Sequence, residues 1–152
     1  LSPAELARGR AKLRLAGMLL YSFPGSPTLF YGDEAGVQGF EDPLNRGTFP
    51  WGGEDTALTD FFRTLGQLRR TRESLRAGAL RYLLARGGAL VIERTHEGER
   101  TVTALNAGPS PLPVAVDWDR PTVQDAVTGQ RFLVIGGKVH LTLPPLDGVI
   151  LI

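Results

Sequence analysis

Gly25-Ser26-Pro27-Thr28-Leu29-Phe30-Tyr31-Gly32-Asp33-Glu34-Ala35-Gly36, continuing to Asp42-Pro43-Leu44-Asn45-Arg46, is the stretch on which the reading of this chain turns. Pro24, Gly25 and Pro27 break a helical pattern that precedes them. The apolar run 28–31 that follows has the length of one buried strand. It ends in Gly32-Asp33-Glu34, which places carboxylates at the carboxyl end of that strand. In parallel α/β architectures this is the end where ligand loops gather.

Working outward, Ser2-Pro3-Ala4-Glu5 is a helix start. Ser2 suits the cap, Pro3 the first turn, and Glu5 completes a capping box. Leu6, Leu13, Ala16, Gly17 and Leu20 recur near a period of 3.6, while Arg8, Arg10, Lys12 and Arg14 lie off that stripe on a solvated face. The helix is expected to end near Ser22, because Pro24 disfavours helical geometry in the residue before it. On the other side of the strand, residues 36–53 read as a long Gly- and Pro-rich loop. Loops beyond about 12–15 residues are usually functional or disordered. Asp55 or Thr56 caps a second helix whose core face is Leu58, Phe61, Phe62, Leu65 and Leu68. Arg69, Arg70 and Arg72 near its end suit the negative pole of the helix dipole.

After Gly78 the period changes from 3.6 to 2. Strands are expected at 81–85, 89–95, 101–106, 114–118, 122–126, 131–135, 139–143 and 149–152. Gly87-Gly88, Gly98-Glu99, Thr128-Gly129, Gly136-Gly137 and Asp147-Gly148 supply turns between them. Short strands with frequent turns predict an antiparallel β-sandwich, with Val114, Val116 and Trp118 facing inward. The expected boundary between the two parts lies near Arg76–Gly78, dividing the chain into 1–76 and 77–152.

The composition excludes several classes. The chain has 152 residues and a net charge of +1, which gives no electrostatic reason to expect nucleic acid or an acidic membrane as partner. No apolar run approaches the roughly 18 residues of a membrane span. With no cysteine there is no disulfide framework, so a cytoplasmic and a secreted location are both compatible. The two histidines, His96 and His140, fall in separate strands and do not make a metal or proton-relay pair. No metal site or cofactor is expected, and no nucleotide-binding glycine loop or nucleophile-elbow serine occurs.

The stretch quoted first, with Gly47-Thr48-Phe49-Pro50-Trp51 after it, resembles the last barrel strand of the α-amylase family of glycoside hydrolases. The neopullulanase, cyclomaltodextrinase and amylopullulanase type is the most similar. The resemblance implies an α/β plus all-β fold class: the last helix-strand-helix portion of a TIM (β/α)8 barrel, residues 1–76, followed by an antiparallel β-sandwich domain, residues 77–152. A single strand between two helices cannot close such a barrel, which needs about eight. The chain, which begins at Leu1, is therefore expected to be the C-terminal part of a longer enzyme, with an upstream barrel segment as its partner. Leu13, Leu20, Leu29, Phe30, Phe61 and Leu65 are then expected to lack partners within the chain.

The resemblance also implies the chemistry. The expected substrates are α-glucans such as starch, pullulan or cyclodextrins. Retaining glycosidases need two carboxyl groups about 5–5.5 Å apart. Neighbours on an extended strand point to opposite faces, so Asp33 and Glu34 do not form that pair. The family's catalytic carboxylates belong to earlier strands, and the fragment alone is expected to be inactive. Asp42 and Arg46 match the pair that holds glucose units in the family. A carboxylate accepts from sugar hydroxyls, and a guanidinium donates a fixed fork. The same two residues also suit an ion pair that stiffens the loop, and the two roles are compatible. Tyr31 and Trp51 are candidates either for stacking on sugar rings or for the core. Gly47 stands where many relatives carry a second Arg. The alternative function is a non-catalytic carbohydrate-binding or structural β-sandwich module, with Tyr82, Trp118 and Phe132 as its aromatic candidates.

Overall fold

A computed structural model describes residues 1–39 and 41–152, and the side chain of Leu44 also lies outside the description. Phe40, within the expected long loop, is therefore not described. Helix α1 runs Pro3–Ser22 and opens on the expected capping box: Ser2 Oγ accepts from the Glu5 amide, and Glu5 accepts from the Ser2 amide. Helix α2 runs Thr56–Thr71 and is capped by Asp55, which accepts from the Leu58 amide. A short helix α3, Glu73–Ala77, follows and was not expected from the sequence. Neither long helix is apolar enough to cross a membrane.

Eight strands follow: β1 Ala79–Arg86, β2 Ala89–His96, β3 Glu99–Asn106, β4 Leu112–Asp117, β5 Thr122–Gln124, β6 Arg131–Ile135, β7 Lys138–Leu143 and β8 Asp147–Leu151. They form two four-stranded sheets, β1-β2-β3-β8 and β4-β7-β6-β5, in which every pairing is antiparallel. β5 is shorter than expected. Its chain leaves the ladder at Asp125, whose carboxylate turns inward to accept from the amides of Val127, Thr128 and Ile150. The inner faces share one core: Val91, Val102, Ala104 and Leu151 from the first sheet meet Val114, Val116, Val139 and Leu141 from the second, with Trp118 just past the end of β4.

The first sheet is covered on its other face too. Leu105 and Ile150 point away from the inner core and join Leu15, Met18, Leu58, Phe61, Phe62 and Leu65 in a second core beneath α1 and α2. The molecule is therefore three layers: helices, first sheet, second sheet. Leu65 is fully buried and Phe61 is only 4% exposed, which corrects the expectation that both would lack partners. Phe61 packs against α1 beside Gly17 and Arg14, and both residues share one core with Leu15 and Met18 of α1 and with Leu105 and Ile150 of the first sheet.

A second correction concerns residues 28–31, which form no strand. A strand exists through its ladder hydrogen bonds. The segment passes beside the helices, and the described residues offer it no neighbouring strand. Asp33 and Glu34 accordingly end no strand. They sit in a short 3-10 turn, Asp33–Ala35, entered through Gly32 at φ 89°, where a Cβ would lie 2.8 Å from that of Val37.

Candidate functional site

Two surfaces lie around residues 23–51. The first is an apolar groove of about 500 Å³ between α1 and residues 28–33, lined by Leu13, Leu20, Phe23, Leu29, Phe62 and Leu90. Asp33 borders it, and burial, aided by the charge of Glu34, pushes its carboxyl above the ordinary carboxylate range. Phe30 stands nearby with 67% of its surface exposed. Of the residues expected to be left unpartnered, Leu13, Leu20 and Leu29 face this open groove.

The second surface is the loop that carries the expected site residues. Arg46 and Asp42 form a two-point ion pair, with Nε to Oδ1 at 2.8 Å and Nη2 to Oδ2 at 3.3 Å. Their side chains are 74% and 60% exposed, so both keep hydrogen-bonding capacity toward solvent. A surface pair of this kind adds at most about 1 kcal/mol to stability. Tyr31 reaches across and donates its hydroxyl to the Gly47 carbonyl at 3.2 Å. Its ring lies 6.2 Å from Phe49, and Phe49 lies 4.7 Å from Trp51. Trp51 is 85% exposed and Tyr31 half exposed, which removes the core reading of both. The structure thus gathers Tyr31, Phe49 and Trp51 into one aromatic row, with the Asp42–Arg46 pair on the same loop. Phe49 was missed, although its spacing of two from Trp51 was a readable signal.

The base of the loop is tied to the helices. The Asp55 amide donates to the Ala35 carbonyl at 3.0 Å, and Thr59 Oγ1 donates to the Glu34 carbonyl at 3.0 Å. Arg10 pairs with Asp55 at 2.8 Å, so one arginine of the supposedly solvated face of α1 has a structural partner. Among the described residues no group of three or more acidic or histidine side chains is placed to hold a metal ion.

The alternative aromatic candidates do not form a platform. Tyr82 is exposed, but Trp118 is buried and Phe132 packs against the inner core. Trp118 is roofed by the Arg100 guanidinium, 4.6 Å above its ring.

Taken together, the fold and the loop define an antiparallel two-sheet domain with helices on one outer face, bearing an exposed loop of aromatic rings and a carboxylate–guanidinium fork. No protein-family model matches the sequence. The sequence is similar to an amylopullulanase of Thermoanaerobacterium saccharolyticum, 34% identical over 99% of this chain and 13% of that protein. It is also similar to neopullulanase 2 of Thermoactinomyces vulgaris, 30% identical over 93% of this chain and 25% of that protein. Among solved structures, an Anoxybacillus α-amylase superposes with a TM-score of 0.84 at 30% identity, over 93% of this chain and 32% of that one. Over nearly the whole of its length the chain is thus similar to enzymes of the α-amylase family of glycoside hydrolases. It spans only 13% and 25% of the length of the two curated relatives.

Proposed function

We propose that this chain is the C-terminal segment of a retaining glycoside hydrolase acting on α-glucans such as starch, pullulan or cyclodextrins. In this reading residues 1–76 are the end of the catalytic (β/α)8 barrel and residues 77–152 are its C-terminal β-sandwich domain. On this reading the segment 28–31, which has no ladder within this chain, becomes the last barrel strand only by pairing with an upstream barrel segment. Asp42 and Arg46 hold sugar hydroxyls, while Tyr31 and Trp51 offer ring faces. The catalytic carboxylates lie outside these residues.

The observation that carries this reading is the second surface: a two-point carboxylate–guanidinium fork and an exposed aromatic row on one loop. Sugars are bound by this combination, because hydroxyls need donors and acceptors in fixed directions and the ring faces are apolar. The open groove along α1 and residues 28–29 agrees with a missing neighbour. The alternative, a free-standing carbohydrate-binding sandwich, loses its main candidate because Trp118 is buried under Arg100.

The test is to assay the purified chain on starch, pullulan and cyclodextrin. No turnover is expected. Turnover that co-purifies with the chain and survives added purification steps would place the catalytic carboxylates within these residues and overturn the reading.

A further inference from the structure

Arg94 on β2 is 2% exposed and has no carboxylate partner among the described residues. Burying a guanidinium without a counter-charge is costly unless every donor is met. Its donors go to backbone: Nη1 to the Ser22 carbonyl at 2.9 Å, and Nε and Nη2 to the Gly78 carbonyl at 3.1 and 2.8 Å. A second guanidinium comes to the same place from α2. Arg69 donates to the carbonyls of Tyr21 at 3.0 Å, Phe23 at 2.8 Å and Gly25. The buried hydroxyl of Thr103 on β3 adds a hydrogen bond to Ser22 Oγ at 2.7 Å.

Two like charges converge here, and burial together with the Arg69 charge pushes the Arg94 guanidinium below its ordinary value. What compensates them is the negative pole of α1, whose last turn has no basic residue of its own. The carbonyls of residues 21, 22, 23 and 25 are all engaged by these two side chains. Beyond Gly25 the chain has no ladder to guide it before Tyr31, whose hydroxyl ties to Gly47. The direction in which α1 ends therefore governs where that segment goes.

We propose that Arg94 and Arg69 are positioning residues for the loop bearing Asp42, Arg46, Tyr31 and Trp51, so that the first sheet acts on the loop through the end of α1. The identity of the ligand, but not the positioning itself, rests on the α-glucan reading above.

The test uses the whole chain with Arg94→Met, which keeps the side chain's bulk and removes its donors, and Arg69→Met, at a half-buried site. NMR reads the amide protection of Val37 and Asp55 and the ring-to-ring contacts of Tyr31 with Phe49. In each variant protection of these amides is expected to fall about tenfold or more and the ring contacts to vanish, while the β2–β3 ladder stays protected. Unchanged loop amides and ring contacts would overturn the proposal. So would a fall of equal size in the ladder, which marks general destabilisation. If Arg94→Met does not fold, Arg69→Met decides. A parallel titration with maltotetraose follows the Trp51 indole N–H. A wild-type chain without any response counts against the sugar reading, and the amide data still judge the positioning role.

Discussion

Replacing Glu93 with Gln probes the charged end of the inner core. Glu93 is buried on β2, and each carboxylate oxygen has its own donor: Oε2 accepts from Arg81 Nε at 2.7 Å and Oε1 from Arg100 Nε at 2.5 Å. Burial alone would raise this carboxyl, but the hydrogen bonds and charges of Arg81 and Arg100 outweigh it and hold Glu93 below the ordinary carboxylate range. A Gln side chain has one oxygen for two guanidinium donors, and its amide group must confront the other. Arg81 is solvated and turns to water. Arg100 is wedged, donating to the Asp117 carbonyl at 2.6 Å while its guanidinium lies over Trp118. A hydrogen bond to a charged partner contributes about 1.5–3 kcal/mol and a neutral one about 0.5–1.5, so Glu93→Gln is expected to cost about 1–1.5 kcal/mol near neutral pH. The sign with pH follows from the lowered pKa. The folded-state value lies below the unfolded one, so the contribution is complete above the unfolded carboxylate value and is lost as pH falls through the folded value. Urea unfolding followed by far-ultraviolet circular dichroism at a series of pH values measures the gap between wild type and variant. The gap should be widest at neutral pH and close in acid. A gap under about 0.3 kcal/mol at neutral pH, the level of an ordinary surface pair, or one that persists undiminished in acid, would refute the argument.

Three further outcomes are expected. Leu65→Ala empties a fully buried site between the helices and the first sheet and should cost about 2–5 kcal/mol in the same urea assay; a loss below about 1 kcal/mol would mean the helices are not docked as described. At Gly78 a Cβ would lie 2.2 Å from the Ser74 carbonyl oxygen and 2.8 Å from that of Thr95, both backbone atoms that cannot step aside. Gly78→Ala should therefore cost more than about 3 kcal/mol or abolish folding, and a thermal midpoint equal to wild type would contradict that geometry. On the proposed α-glucan reading, Arg46→Ala removes a charge-assisted donor worth about 1.5–3 kcal/mol and should weaken maltotetraose binding by roughly tenfold or more without changing the thermal midpoint. Unchanged affinity would leave Arg46 with only its ion pair to Asp42.

The two long helices were legible in the sequence because their signals are local: Ser2 and Glu5 close a box three residues apart, and Asp55 caps the turn that follows it. The eight strands were legible for the same reason, since alternation and glycine turns act over a few residues. The loop residues Asp42, Arg46, Tyr31 and Trp51 were readable as a motif. Their shared surface was not, because it depends on Tyr31 reaching Gly47, sixteen residues away. The inward turn of Trp118 followed from strand alternation, but the Arg100 guanidinium above it did not.

By itself the sequence determined where helices and strands form, which family the chain resembles, and which side chains could meet a sugar. The tertiary structure alone decided that Phe61 and Leu65 bury in a core shared by α1 and the first sheet, that residues 28–31 run without a ladder, and that Arg94 and Arg69 meet at the end of α1. The reason is one of range. Capping and periodicity are settled between neighbours in the chain. A ladder, a buried cation and a shared core each need partners brought together from distant positions, as Ser22 and Thr103 are across 81 residues, and no local pattern records which distant partner will arrive.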